Sequence, residues 1–153
     1  MRYWLMKSEP EECSIDDALA AAQRVTPWSG VRNYQARNFM RDAMRPADGV
    51  LFYHSGCAVP GIAGLAEVAS AAYPDATQFD RRSPYYDPKA ARRAPRWFNV
   101  DVRALRKTRL LPLAELRAHK ALSRMWLLRR GSRLSIMPVS AAEWAYITGK
   151  LLA

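Results

Sequence analysis

Residues 27–38 read PWSGVRNYQARN, and no other stretch of the chain is as informative. They contain one tryptophan, one tyrosine, three side-chain amides and two arginines. An indole face can stack on a flat heterocycle, and neighbouring amides can read the edge of that ring. Arginines alongside can hold a phosphate. The stretch therefore predicts that the chain binds a nucleobase, more firmly than it predicts any reaction.

On either side of this stretch, short apolar runs alternate with helix signals. The apolar runs predict strands at residues 2–7, 50–54, 62–69, 97–105 and 134–138. Helices are expected from Ser14 toward Ala22, over residues 34–44, 113–119 and 121–126, and after Ser140. About five strands at irregular spacing, with helices between them, are typical of an α+β fold built on a small curved sheet or barrel.

The composition is that of one compact globular domain covering residues 1–153. Hydrophobic residues make up 50% of the chain and charged residues 25%, which argues against disorder. No apolar run approaches the roughly 20 residues that cross a bilayer, so we expect neither a membrane segment nor a signal peptide. Cys13 and Cys57 are expected to be free thiols of a monomeric cytoplasmic protein. A cytoplasmic protein of this kind could associate with the nucleoid, and in a eukaryote we would expect it in the nucleus.

Positive charge is concentrated in one part of the chain. The formal net charge is +10; residues 1–80 hold 7 Lys and Arg against 10 Asp and Glu, whereas residues 81–134 hold 16 against 3. A segment this basic gives a surface suited to polyanions, of which nucleic acid is the commonest. Charge alone leaves open a basic face that serves only solubility.

The sequence contains no recognisable catalytic or metal-binding set. Only His54 and Cys57 have a spacing that metal ligands use, and one such pair is far short of a zinc site. Neither cysteine lies in a nucleophile motif, and the chain has no glycine-rich phosphate loop. Glu9, Glu11 and Glu12 precede a predicted helix and are best explained as solvated acids at its start. We therefore expect no cofactor, no metal and no enzymatic activity.

A second aromatic group lies in the long segment 71–95, which has neither helical nor strand periodicity. Phe79, Tyr85 and Tyr86 stand there among several cations. Aromatic faces interleaved with cations suit a binder of single-stranded or flipped bases, because bases stack on the rings while cations pair with phosphates. The alternative is that Tyr85 and Tyr86 both anchor the loop to the barrel, and one of the two is expected to do so.

Motifs in order along nearly the whole chain resemble those of the EVE domain family. They are YWLMKSEP at 3–10, WSGVRNYQARN at 28–38, FYHS at 52–55, PGIAG at 60–64, YPD at 73–75, TQF at 77–79, YDP at 86–88 and RLSI at 133–136. The resemblance implies a PUA-like fold, a twisted β-barrel of about five to six strands decorated with helices and related to the YTH domains that read methylated adenine in RNA. It also implies non-catalytic capture of a modified base, for example a modified cytosine, in DNA or RNA.

The resemblance and the two aromatic groups together imply an aromatic pocket. Lys7-Ser8 and Trp28-Ser29 are similar to positions where YTH domains begin their cage. The residues expected to form the base-binding pocket are Lys7, Ser8, Trp28, Ser29, Asn33, Tyr53, His54, Phe79, Tyr85 and Tyr86. Those expected to bind phosphate are Arg32, Arg81, Arg82, Arg92, Arg93 and Arg133. Trp28 is expected to be open to solvent, in the wall of a cavity sized for one planar ring.

These observations favour a non-catalytic module for single-stranded or flipped-base nucleic acid. Two other classes stay open. One is a nucleic-acid-processing enzyme that uses His54 with Glu9 or Asp87, and its mark would be a product that is lost in His54→Ala. The other is a small-molecule sensor, which would bind a free nucleobase without salt dependence.

Overall fold

The computed structural model describes residues 1–152, and these form a mixed α+β structure. The strands are β1 (Tyr3–Ser8), β2 (Val25–Pro27), β3 (Gly49–His54), β4 (Gly61–Val68), β5 (Tyr73–Pro74), β6 (Phe98–Asn99), β7 (Asp101–Pro112) and β8 (Ile136–Val139). The α-helices are α1 (Pro10–Cys13), α2 (Ile15–Ala20), α3 (Tyr34–Asn38), α4 (Leu113–Arg117) and α5 (Ala141–Tyr146). Two π-helical turns, Phe39–Ala43 and Ile147–Leu151, continue α3 and α5.

Six of the strands form one mixed sheet in the order β2-β7-β4-β3-β1-β8. The neighbouring strands β1 and β3 are parallel, and the other four pairings are antiparallel. β5 and β6 form a separate short pair. Register shifts interrupt the β3–β4 and β4–β7 ladders, and such bulges bend and twist a sheet. The expected α+β class and strand number are confirmed.

Both faces of the sheet are buried, which explains the uninterrupted apolar runs in its central strands. Successive side chains of a strand point to opposite faces, so Trp4 and Met6 of β1 enter one core while Leu5 enters the other. In β3, Val50 and Phe52 belong to the first core and Leu51 and Tyr53 to the second. The first core also holds Trp28, which is therefore placed against the sheet.

Helix starts follow the sequence signals closely. Ser14 caps α2 and Ser140 caps α5, each in a capping box with the residue three positions on, Asp17 and Glu143. The predicted helix over residues 34–44 is α-helical only to Asn38 and then widens into the π-helical turn. Within residues 1–152 no helix is both long enough and apolar enough to cross a bilayer.

Several boundaries differ from those expected. The predicted strand at 97–105 is instead β6 followed by the longer β7, and the predicted helix at 121–126 is replaced by 3-10 turns at Lys120–Leu122 and Trp126–Leu128. The segment 71–95 contains β5 and a 3-10 turn at Ala76–Phe79. The short β2 has no apolar run of its own, and its three residues pair with the start of β7 at the edge of the sheet.

Candidate functional site

A cavity of about 700 Å³ opens where β1 and β2 end, beside the predicted binding stretch. Its wall consists of residues 7–9, Glu12, Cys13, residues 26–32, Ser55, Tyr85, Arg133 and Ser135. The sequence motifs at 3–10, 28–38 and 133–136 are far apart along the chain, and the sheet brings them together here. A cavity of this volume lies within the range of small-molecule sites.

Trp28 forms one wall of the cavity while packing into the first core. Its ring meets Phe52 edge to face, with ring centroids 5.6 Å apart and planes at 88°. Its backbone N–H donates to the Val100 carbonyl at 2.9 Å. Only 8% of the residue is exposed, so the expectation of an indole open to solvent is corrected. The core holds most of the ring, and the cavity adjoins the remainder.

Tyr85 forms a second aromatic wall. It is 36% exposed, and its ring lies against Gly30, whose φ of +80° is a conformation that favours glycine. An added Cβ on Gly30 would lie 2.8 Å from Tyr85 Cε2. The loop 28–32 and the segment that carries Tyr85 are thus in direct contact at the cavity rim.

The buried carboxylate of Asp75 anchors the loop 28–32 through hydrogen bonds. It is fully buried and accepts hydrogen bonds from the Gly30 N–H at 2.8 Å and the Thr77 N–H at 2.8 Å. Burial by itself raises the pKa of Asp75, but the hydrogen bonds from Thr77, Gly30 and Arg32 outweigh it and hold the pKa below its ordinary value. The group is therefore ionised at neutral pH.

The floor of the cavity near β1 combines a lysine, a thiol and two carboxylates. Burial lowers the pKa of Lys7. Burial, followed by the charge of Asp17, raises the pKa of Cys13, which makes this thiol a poor nucleophile. Glu9 and Glu12 are exposed as expected, but they also line the cavity. Sequence reasoning missed that role, although Glu9 follows Lys7-Ser8 directly in the family-like motif at 3–10.

Five of the predicted base-binding residues line this cavity: Lys7, Ser8, Trp28, Ser29 and Tyr85. The structure places the other five elsewhere. Phe79 lies under Arg92, whose guanidinium carbon is 5.0 Å from the ring centroid. Tyr86 is half-buried in the segment that follows Tyr85, outside the cavity wall.

The remaining three residues have structural partners. Asn33 caps α3, and its side-chain oxygen accepts from the Ala36 N–H at 3.0 Å. Tyr53 is 2% exposed in the second core, on the sheet face that Trp28 does not contact. His54 Nε2 accepts from the Ile15 N–H at 3.0 Å, and burial lowers its pKa. His54 is therefore neutral and holds the start of α2.

The predicted phosphate ligands fall into two groups. Arg32 and Arg133 line the cavity. Arg81, Arg82, Arg92 and Arg93 are exposed on the segment that carries Tyr85. Arg32 forms an ion pair with Asp75 at 3.1 Å, and its side chain is 22% exposed. The four exposed arginines of the second group are accessible to an external anion.

Two further observations bear on chemistry. Both cysteines are free thiols, as expected. Among residues 1–152, no cluster of three or more His, Cys, Asp or Glu side chains is arranged to hold a metal ion.

Comparison with known proteins adds a family and close relatives. Residues 2–150 match the family model of the EVE domain. The chain is similar to human Thymocyte nuclear protein 1, at 46% identity over 163 residues, which covers 95% of this chain and 72% of that protein. It is similar to a crystal structure described as human THYN1 protein in complex with 5-methylcytosine containing DNA, with a TM-score of 0.91, 44% identity and coverage of 97% of this chain and 96% of that one. A structure of a hypothetical protein from Leishmania major has a TM-score of 0.91, 49% identity and coverage of 97% and 93%.

Proposed function

The chain belongs to the EVE domain family, and from that premise we propose that it binds nucleic acid and captures a modified cytosine in the cavity between Trp28 and Tyr85. One observation carries the proposal. The cavity with these two aromatic walls lies in a chain 44% identical to a protein that was crystallised with DNA containing 5-methylcytosine. The base stacks beside Trp28, and Tyr85 closes the site.

The cavity accommodates a flipped or unpaired base. Its volume of about 700 Å³ exceeds what one pyrimidine ring needs, which leaves room for water or part of the sugar. Burial of one methyl group contributes about 0.8 kcal/mol, so polar contacts to the ring edge must supply the rest of the discrimination. The predicted polar residues that line the cavity and can contact the ring edge are Lys7, Ser8 and Ser29. Flipping a base from a duplex costs a few kcal/mol, so single strands bind more easily.

The cations of the Tyr85 segment supply affinity that does not depend on sequence. Arg81, Arg82, Arg92 and Arg93 are exposed and flank Tyr85 on both sides along the chain. Phosphate contacts release counterions, so binding through them weakens steeply with salt. Arg133 stands at the cavity itself and is suited to the phosphate nearest the captured base.

The module binds without catalysing a reaction. His54, the residue on which an enzymatic mechanism would depend, already accepts a backbone hydrogen bond from Ile15 and lies outside the cavity wall. Cys13, the one thiol in the wall, has a raised pKa. Both observations support a reader of the base rather than a nuclease or deaminase. In a eukaryotic cell we expect the protein in the nucleus, as the name of its human relative suggests.

The test is a titration of matched oligonucleotides. Single strands that carry one central 5-methylcytosine or cytosine are titrated at two salt concentrations, with free 5-methylcytosine nucleoside as a third ligand. We expect tighter binding of the methylated strand and a steep loss of affinity for both strands at high salt. Equal affinity for the two strands would reject the proposal, and nucleoside binding that equals oligonucleotide binding would favour the sensor.

The variant for this test is Tyr85→Ala. Tyr85 is exposed enough to be truncated without opening the core, whereas truncation of Trp28 leaves a cavity against Phe52 and lowers stability by about 3–5 kcal/mol. Loss of the preference in Tyr85→Ala, with the melting temperature retained, supports the aromatic wall. Trp28→Phe is the second variant, since it keeps most of the packing.

A further inference from the structure

Arg32 has no donor left for an external anion. Its Nε donates to the Tyr85 carbonyl at 3.2 Å, and Nη2 donates to the same carbonyl at 2.8 Å and to Thr77 Oγ1 at 3.0 Å. Nη1 donates to Asp75 Oδ2 at 3.1 Å and to the Val31 carbonyl at 3.0 Å. An arginine carries five N–H donors, and these contacts use all of them.

Two aromatic rings also lie against the guanidinium. Its central carbon is 5.4 Å from the Tyr85 ring centroid and 5.3 Å from the Trp97 ring centroid. The Trp97 ring stacks in turn on Tyr34, with centroids 4.7 Å apart. A phosphate could reach Arg32 only by replacing one of these partners, and Asp75 already balances its charge.

The contacts of Arg32 join the two walls of the cavity. Val31 belongs to the loop that carries Trp28, and Tyr85 belongs to the opposite segment. Asp75 reinforces this link, because the same Oδ2 that pairs with Arg32 accepts from the Gly30 N–H at 2.8 Å. Arg32 and Asp75 thus connect the loop that carries Trp28 to the segment that carries Tyr85.

We propose that Arg32 is a positioning residue, which sets the spacing of the Trp28 and Tyr85 walls through Asp75 and does not bind phosphate. The inference rests on the proposed function, since the spacing matters only if a base enters between these walls. A cavity discriminates among planar bases only when its walls are held apart at a defined distance, so a change in that distance reduces the preference. Arg32 therefore governs preference among bases, whereas the exposed arginines govern general affinity.

The experiment compares Arg32→Lys and Arg32→Gln with Arg81→Gln. Each variant is titrated with single strands carrying 5-methylcytosine or cytosine, over a series of salt concentrations. For Arg32→Lys, which keeps the charge but loses the planar fork, we expect the affinity ratio between the two strands to fall about tenfold. For Arg32→Gln, we expect the same fall with an unchanged salt slope. For Arg81→Gln, we expect an unchanged ratio and a salt slope reduced by about one, as for a phosphate contact.

Two results would overturn the inference. One is an affinity ratio in Arg32→Lys equal to that of the wild type. The other is a salt slope in Arg32→Gln that falls by about one while both strands weaken equally, which is how a phosphate ligand behaves. A merely structural loss lowers the folded fraction and weakens both strands alike, so it does not change the ratio.

Thr77→Val covers the case in which the Arg32 variants do not fold. It removes one acceptor of Arg32 and the Thr77 hydroxyl that donates to Asp75 at 2.6 Å, with little change in volume. We expect a smaller fall in the affinity ratio and no change in salt slope, and an unchanged ratio counts against the inference. The wild type is measured first, so that a failure of the proposed function appears there as equal affinities. In that case the salt slope of Arg32→Gln still decides whether Arg32 binds phosphate.

Discussion

The ring of Tyr85 lies on Gly30 so closely that a Cβ at residue 30 would approach Tyr85 Cε2 and Cζ to 2.8 Å. The contact joins the loop of one aromatic wall to the ring of the other. Glycine is needed at residue 30 for two reasons. A side chain would collide with the Tyr85 ring, and the backbone φ of +80° is one that other residues rarely adopt.

Replacement of Gly30 by alanine is therefore expected to displace Tyr85. We expect a loss of stability of about 1–2 kcal/mol from the left-handed backbone and, in addition, a reduced preference for the methylated strand. The control is Gly131→Ala, since Gly131 has a φ of +75° but nothing within 4 Å of an added Cβ. The control should lose similar stability and keep the full preference. Equal preferences in the two variants would contradict the role of the Tyr85 contact.

The exposed arginines of the Tyr85 segment are expected to act on affinity alone. In Arg92→Ala with Arg93→Ala, both strands should bind more weakly by the same factor, and the salt slope should fall by about two, one for each phosphate contact. Titrations at several salt concentrations measure both quantities. Arg109→Gln is the control, because Arg109 pairs with Glu115 at 2.8 Å and should leave both quantities unchanged. An altered affinity ratio in the double variant would place these arginines at the base itself.

Asp75 is expected to link stability to pH at the acidic end. Its folded-state pKa lies below the ordinary 3.8, so its contribution is fully present above that value and is lost as the pH falls through the folded-state pKa. Asp75→Asn should lower the free energy of unfolding at pH 7 by about 2–3 kcal/mol, since hydrogen bonds to a charged group are lost. The difference from the wild type should shrink below pH 3.8. Urea unfolding across this range measures it, and a constant difference would contradict the assignment.

His54 is expected to contribute to stability but not to binding. Burial lowers its pKa below the ordinary 6.5; the charge of Asp16 opposes this shift and that of Lys107 adds to it. Protonation therefore favours the unfolded chain, and stability should fall as the pH drops from 6.5 toward the folded-state pKa. His54→Ala removes the acceptor of the Ile15 N–H, at a cost of about 1–3 kcal/mol, and should flatten this pH dependence. Denaturation at several pH values checks the stability. If folded His54→Ala loses the preference for the oligonucleotide that carries 5-methylcytosine, His54 contacts the base and this prediction is wrong.

The elements whose signals are local were predicted well. The caps at Ser14 and Ser140 depend on residues within one turn of the helix, and both occur as expected. The apolar runs of β1, β3 and β4 are long enough to be recognised without their partners. β2 was missed because its three residues become a strand only by pairing with β7.

The candidate site was predicted by residue type but not by partner. Five residues were predicted because their side chains can stack on a base or bond to its edge, and all five line one cavity: Lys7, Ser8, Trp28, Ser29 and Tyr85. Asn33 and His54 have chemistry equally suited to a base, yet Asn33 caps α3 and His54 accepts from Ile15. The type of a polar side chain does not show which neighbour in the folded structure will form its hydrogen bonds.

By itself the sequence determined the fold class, the family and the chemistry available to the site, because these follow from apolar patterning, ordered motifs and charge. Only the tertiary structure decided which groups remain free for a ligand. Arg32 illustrates the reason: its charge is visible in the sequence, but Asp75, Thr77 and Tyr85, which occupy its donors, lie more than 40 residues away along the chain.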